Sequence, residues 1–191
     1  MAYLTPEQLQ QMNFASLGRG VRISDKASIY EPEKMHIGDH CRIDDFCVVS
    51  GRLKMGRNIH MAPFCLVAGG EPGITIGDFA GLAYAVQVFA QSDDYSGRTL
   101  TNPTVPDQYK RETKRAVTLG RHTIVGARCV IFPGVDLAEG TAVGAGAIVS
   151  KSTTAWSIYA GSPARRVRTR ANKLLELEAK YLADEAGRTH K

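Results

Sequence analysis

The chain has 191 residues, 43% of them hydrophobic, and a formal net charge of +5. That length suits one globular domain; no apolar run is long enough for a membrane span and no charged-then-apolar leader opens the chain, so the expected setting is the cytoplasm. The basic excess carries no interleaved aromatics and no known binding motif, which argues against a nucleic-acid partner.

Taken in order, Leu4-Thr5-Pro6-Glu7-Gln8-Leu9 reads as a helix entry. Thr5 is the cap, Pro6 the first helical residue, Gln8 closes a capping box, and Leu4 and Leu9 form a staple. This segment, residues 1–16, is expected to plug the open end of a repeat array that begins at Leu17.

From Ile37 to Val67 an aliphatic or Met residue falls at every sixth position: Ile37, Ile43, Val49, Met55, Met61 and Val67. The same phase continues outward through Leu17, Ile23 and Ile29, then Ile76, Leu82 and Val88, then Leu119, Val125, Ile131, Leu137, Val143 and Val149. A period of six is neither helical nor a simple alternation, and it predicts a solenoid of short strands and corners. Three hexads per triangular turn give about six coils, or about 29 Å of prism at the ~4.8 Å strand spacing. Gly38 and Gly56, with Asp44 and Ser50 in the equivalent places, are read as corner residues that turn the backbone with positive φ. The predicted fold is an all-β solenoid over residues 17–164.

The phase breaks briefly near Glu33 and near Glu71 to Gly73, and at length from Asp94 to Thr118. An excursion of that size inside a compact domain is expected to be functional. Beyond the last coil, Arg165, Arg166, Arg168, Arg170 and Lys173 form a basic segment, and Leu174 to Leu182 predict an amphipathic helix; together they make up residues 165–191. The helix's apolar stripe must cover either the prism or a neighbouring subunit.

Cys41, Cys47, Cys65 and Cys129 invite a metal reading. All four, however, occupy the small inward slot that Val21, Ala27, Ala80, Thr123, Thr141 and Ala147 fill elsewhere. They are expected to be buried free thiols, with no metal bound, in a reducing compartment.

Several stretches carry a family resemblance. Ile76-Gly77-Asp78, Leu119 to Ala127, Phe132-Pro133-Gly134-Val135, Val143 to Ala147 and Tyr159 to Ala164 resemble the hexapeptide-repeat acyltransferases over about residues 15 to 170. The resemblance implies a left-handed parallel β-helix, a homotrimer with active sites between subunits, and acetyl-CoA or another short acyl-CoA as cosubstrate. Lys26 to Tyr30, Arg42 to Cys47, the Gly69-Gly70 pair after His60, Asp93 to Gly97 and Asn102-Pro103-Thr104 look most like N-acyltransferases of nucleotide-linked amino-dideoxy sugars, of the anthrose-pathway type. Such enzymes serve surface polysaccharide, including lipopolysaccharide, biosynthesis. Galactoside and maltose O-acetyltransferases are similar too, but they carry a catalytic His-Pro where this chain reads Ser92-Asp93-Asp94.

A neutral amine needs little activation before it attacks a thioester, whereas a hydroxyl nearly always needs a base, so the departure at Asp93-Asp94 favours an amine acceptor. The candidate catalytic residues are His60, in an outward hexad slot, and Asp94, a carboxylate in a lead position that could orient an imidazole or hold an ammonium. Candidate substrate contacts are Asp93, Tyr84, Tyr95 and Asp45; Asp44 and Asp45 read equally well as solvated corner residues. His36, His40 and His122 read as ordinary surface histidines. For the acyl carrier the resemblance implies backbone N–H groups near Gly126 and Ala127, with Ala145 along the pantetheine and Ser162 near the same end. Lys151, Arg165 and Arg168 are candidate phosphate partners. Two other classes use the same prism. A zinc enzyme resembling γ-class carbonic anhydrases needs three imidazoles, and His60 and His122 are too few; a non-catalytic prism gives the long excursion no purpose.

Overall fold

The computed structural model describes residues 2–189. Met1, His190 and Lys191 of the expected terminal segments lie outside the described residues. The hexads wind into three parallel sheets that face one another across a single core. The first sheet stacks Ser16–Leu17, Met35–Ile37, Leu53–Met55, Ile74–Ile76, Val117–Leu119 and Asp136–Leu137. The second stacks Arg22–Ile23, Arg42–Ile43, His60–Met61, Gly81–Leu82, Ile124–Val125, Ala142–Val143 and Ser157–Ala160. The third stacks Ser28–Tyr30, Val48–Ser50, Leu66–Ala68, Gln87–Phe89, Val130–Ile131 and Ile148–Val149. Six coils visit every sheet, and Ser157–Ala160 begins a seventh turn.

The register keeps like residues in columns: Ile23, Ile43, Met61, Leu82, Val125 and Val143 stack inward and are buried. The four thiols are buried as expected, and each donates to a carbonyl of the coil above: Cys41 to Gly56 (3.1 Å), Cys47 to Ala62 (3.2 Å), Cys65 to Ala83 (3.2 Å) and Cys129 to Gly144 (3.0 Å).

Positive φ falls at residues other than Gly38, Gly56, Asp44 and Ser50, where the sequence places it. His40, Asn58, Phe79 and His122 take φ of 55–58° at one corner, and Phe46, Phe64, Ala85 and Arg128 take 57–67° at the next. Stacking offsets part of that strain: the Phe46 and Phe64 rings lie 5.2 Å apart and those of Phe79 and His122 5.4 Å apart. Gly38 is required for a different reason, since a Cβ there would stand 2.5 Å from the Gly56 carbonyl oxygen of the next coil.

Helix α1 (Pro6–Gln11) has the expected capping box between Thr5 and Gln8, and Leu4 and Leu9 join the core. The long excursion starts earlier than the sequence predicts. Gln91–Ser92 pairs antiparallel with Thr113–Lys114 at its base, and Val117–Leu119 is already back in the first sheet. The basic segment is a strand: Arg165–Thr169, exposed throughout, runs antiparallel to Ser157–Ala160 and finishes the second sheet. Helix α2 (Leu174–Thr189) returns down the corner between the first and second sheets. Glu178 meets Arg121 and His122, and Glu185 meets Arg57 and His40, so the helix crosses from the fifth coil to the second. Its partner is therefore the chain's own prism. His122 is 6% exposed and His40 is ion-paired, so neither is the bare surface histidine expected.

Candidate functional site

The outer face of the second sheet reads, coil by coil, Arg22, Arg42, His60, Gly81, Ile124 and Ala142. Its lower half is cationic, and the Tyr3 ring lies under it, 5.6 Å from the Arg22 guanidinium carbon and 5.9 Å from that of Arg42. In the neighbouring outward column sits Asp44, 2% exposed in its side chain. It accepts from Arg42 Nε at 2.6 Å and from His60 Nε2 at 2.8 Å. Burial works to raise the Asp44 carboxyl, but the hydrogen bonds and charges of Arg42 and His60 outweigh it and hold the group below the ordinary carboxylate range. An ionised Asp44 can only accept, so His60 Nε2 carries a proton, and in the neutral imidazole the lone pair is then on Nδ1. Asp44 is thus no solvated corner residue; burial between the Arg42 and His60 rungs makes it the partner of His60. The signal for this in the sequence is an Asp one residue past an inward Ile, framed by Arg42 in its own coil and His60 in the next.

Asp94 is not that partner. It sits in the excursion, where Oδ1 accepts from the Ser96 amide (2.8 Å) and Oδ2 from the Ser96 and Thr99 hydroxyls (2.8 and 3.1 Å). The Ser96 amide bond first, then the hydroxyl, pulls its carboxyl below the usual range. Asp93, Asp94 and Tyr95 line a cleft of about 930 Å³ with Arg98, Arg111, Phe132 and Ser150. That cleft rises from the third sheet, so within one chain it and His60 stand on different faces. Asp93 accepts from the Asn102 amide at 3.2 Å, and Tyr95 is 89% exposed.

Asp45 is engaged within the fold: Ser24 Oγ donates to it at 2.5 Å, and Lys26 Nζ lies 3.6 Å away. Tyr84 is exposed at the corner between the second and third sheets. Gly126 donates its N–H to the Val143 carbonyl at 2.8 Å, so that amide serves the sheet and is not open to a thioester. Ala127 and Ala145 lie at the same corner, one coil apart, with Ala145 exposed. Lys151, Ser162, Arg165 and Arg168 are all exposed around the last coil, and Arg168 sits opposite Ile158. The candidates thus form four groups: the cationic ladder, the excursion cleft, the corner of Tyr84, Ala127 and Ala145, and the basic end. No set of three His, Cys, Asp or Glu side chains arranged to hold a metal occurs among the described residues.

No family model matches the sequence. The chain is 39% identical over 184 residues to the dTDP-4-amino-4,6-dideoxy-D-glucose acyltransferase of Escherichia coli, with 95% of each chain covered. It is 42% identical, with a TM-score of 0.95, to AntD, an N-acyltransferase from Bacillus cereus whose crystal structure holds dTDP and 3-hydroxybutyryl-CoA; 96% of this chain and 98% of that one are covered. A variant of AntD was crystallised with dTDP-4-amino-4,6-dideoxyglucose and coenzyme A, at 43% identity and a TM-score of 0.94 over 95% and 97% of the two chains. A maltose O-acetyltransferase from Clostridium difficile 630, at 17% identity and a TM-score of 0.56 over 87% and 75%, shares the fold alone. With full-length identity at this level to a curated member, the chain belongs to the dTDP-4-amino-4,6-dideoxy-D-glucose acyltransferase family.

Proposed function

We propose that this chain transfers an acetyl or short acyl group from acyl-CoA to the amino group of a dTDP-linked amino-dideoxy sugar. The observation that carries the reading is its nearly full-length likeness to an N-acyltransferase crystallised with dTDP and an acyl-CoA. The cationic ladder suits a diphosphate, because guanidinium groups bind phosphate oxygens through charge-assisted bonds. The smaller, more apolar upper rungs suit the pantetheine arm.

In the proposed step the neutral amine attacks the thioester carbonyl carbon, and a C–N bond forms as the carbonyl electrons move to oxygen. A proton leaves the nitrogen for His60 Nδ1. Collapse of the oxyanion breaks the C–S bond, and the proton passes to the departing thiolate, giving an amide and free coenzyme A. The corner of half-buried Ala127 and exposed Ala145 is a candidate source of donors to the oxyanion. Lys151, Arg165 and Arg168 would meet the carrier's phosphates, and Asp94 would hold the acceptor as an ammonium until it loses its first proton to solvent.

The working unit in this proposal is a homotrimer. Val48, Leu66, Val130 and Ile148 leave part-exposed apolar side chains along the third sheet, interrupted at Gln87, which a second copy would cover. Such packing would carry the excursion of one protomer toward the ladder of its neighbour and unite the separated groups. Light scattering tests the assembly, and a single-chain mass would exclude it. The activity is tested by thiol release from acetyl-CoA and 3-hydroxybutyryl-CoA with dTDP-4-amino-4,6-dideoxyglucose beside maltose and a galactoside. Release with the plain sugars alone would replace the amine by a hydroxyl acceptor. The proposed setting is the cytoplasm, in the supply of surface polysaccharide.

A further inference from the structure

Most strand and corner glycines here are explained by the fold. A Cβ on Gly126 would come within 2.5 Å of the Ala145 amide nitrogen, and one on Gly56 would overlap Asp78 Oδ1. Gly81 differs: a Cβ there would meet no atom within 4 Å, and its φ is not in the left-handed region. Its amide donates to the Thr123 carbonyl at 2.9 Å, a ladder bond that any residue except proline can make. Glycine in a strand sacrifices packing and conformational entropy, so local stability favours almost any other residue at this position. A locally disfavoured choice with no structural cause points to function.

The place of Gly81 in the ladder says which function. It lies directly between His60 and Ile124, one rung above the imidazole and below the apolar rungs. It lines a cavity of about 370 Å³, next to but not including His60, whose wall combines Ile124, Leu174, Leu177 and Tyr181 with Arg170 and Glu178. Below His60 stand Arg42 and Arg22, and Arg22 has no carboxylate partner among the described residues. A ligand with its diphosphate at the guanidinium end would run past His60, and the group beyond it would reach the bare backbone of Gly81.

We infer that Gly81 is a specificity-determining residue whose missing side chain makes the slot for the sugar ring of a nucleotide-linked amino sugar, beside His60. The inference rests on the acyl-transfer reading for the identity of the sugar. It is tested with Gly81→Ala and Gly81→Val by calorimetry against three probes: dTDP, dTDP-4-amino-4,6-dideoxyglucose and acetyl-CoA. Both variants should unfold at or above the wild-type temperature. Affinity for the sugar nucleotide should fall at least tenfold in Gly81→Val and by less in Gly81→Ala, while dTDP and acetyl-CoA bind within twofold of wild type. Unchanged sugar-nucleotide binding in Gly81→Val overturns the inference, as does an equal loss for dTDP or a loss confined to acetyl-CoA. A wild-type protein that shows the binding contrast yet releases no thiol would remove the acyl-transfer reading and leave the slot standing.

Discussion

Asp44 and His60 belong to successive coils of one sheet, and their 2.8 Å hydrogen bond crosses between them. The carboxylate is buried while 48% of the His60 side chain is exposed, so one end of the imidazole is anchored in the fold and the other is presented outward. Arg42 grips both oxygens, Nε on Oδ1 and Nη2 on Oδ2, and keeps the carboxylate charged. Asp44 is on this geometry a positioning residue that acts through His60. In His60→Asn, turnover should drop at least tenfold, an effect of acid–base size. In Asp44→Asn, kcat should fall while the KM for the sugar nucleotide changes little. The double variant should be no slower than His60→Asn alone, because residues acting as one unit are not additive. Multiplicative losses in the double variant would separate the two residues.

Asp94 makes a different case, because its three bonds all brace its own loop. A brace and an ammonium partner respond differently to Asp94→Asn. The amide still accepts from Ser96 and Thr99, yet it carries no charge to hold a cation. The expected outcome is a loss of at least tenfold in kcat/KM for Asp94→Asn as well as Asp94→Ala, with the unfolding temperature of Asp94→Asn unchanged. Full activity in Asp94→Asn would reduce Asp94 to a loop former.

The architecture was legible because the core has a period. Side chains at every sixth residue must share a column, and the lead positions from Ile23 to Val149 do, apart from Ile29 at the open first coil. Capping chemistry at Thr5 and Gln8 is local and was equally readable. What the sequence hid are relations between coils. The Asp44–His60 bond spans 16 positions and depends on which way each outward side chain leans, so an excursion carboxylate was the more conspicuous partner. His122 and Glu178 are 56 positions apart, and nothing local says that α2 returns over its own prism. Gly81 precedes its lead residue Leu82 instead of following it as Gly38 and Gly56 do, but the empty space above it is a property of the fold and not of the sequence.

The thiols offer a test of the core itself. Burial pushes the Cys41 thiol up to about 11 and raises Cys129, while the Cys47–Cys65 contact raises Cys65 and lowers Cys47. All four are 0–1% exposed, so even a thiolate at Cys47 would be out of reach of reagent. The native protein should therefore react with less than one equivalent of an aromatic disulfide reagent over minutes, and the guanidinium-unfolded chain with all four. Reductant should leave the unfolding temperature unchanged, since no disulfide forms among them. Prompt reaction of the native protein would mean that the prism opens locally on that timescale.

Helix α2 is held by two carboxylates, and their titration sets when it lets go. Burial works to raise Glu178, but His122 and Arg121 outweigh it and bring the group below its ordinary value; Glu185 is lowered mainly by the Arg57 hydrogen bond. A carboxylate depressed in the folded state contributes stability that is fully present above its unfolded value, about 4.3, and is lost as pH falls through the lower folded value. Docking of α2 should thus weaken below about pH 4, as these two carboxylates are neutralised. The single tryptophan reports on this, because the Trp156 ring lies 6.2 Å from that of His122 at the same corner. Its fluorescence should change in acid before the global unfolding transition. Glu178→Ala leaves the 6%-exposed His122 ring without its acceptor, a cost of about 1–3 kcal/mol. That variant should show the fluorescence change at a higher pH and a lower unfolding temperature, with α2 amides exchanging faster while those of the prism keep their protection. If α2 and the prism lost protection together, the helix would be an integral part of the column and not a strap laid across its corner.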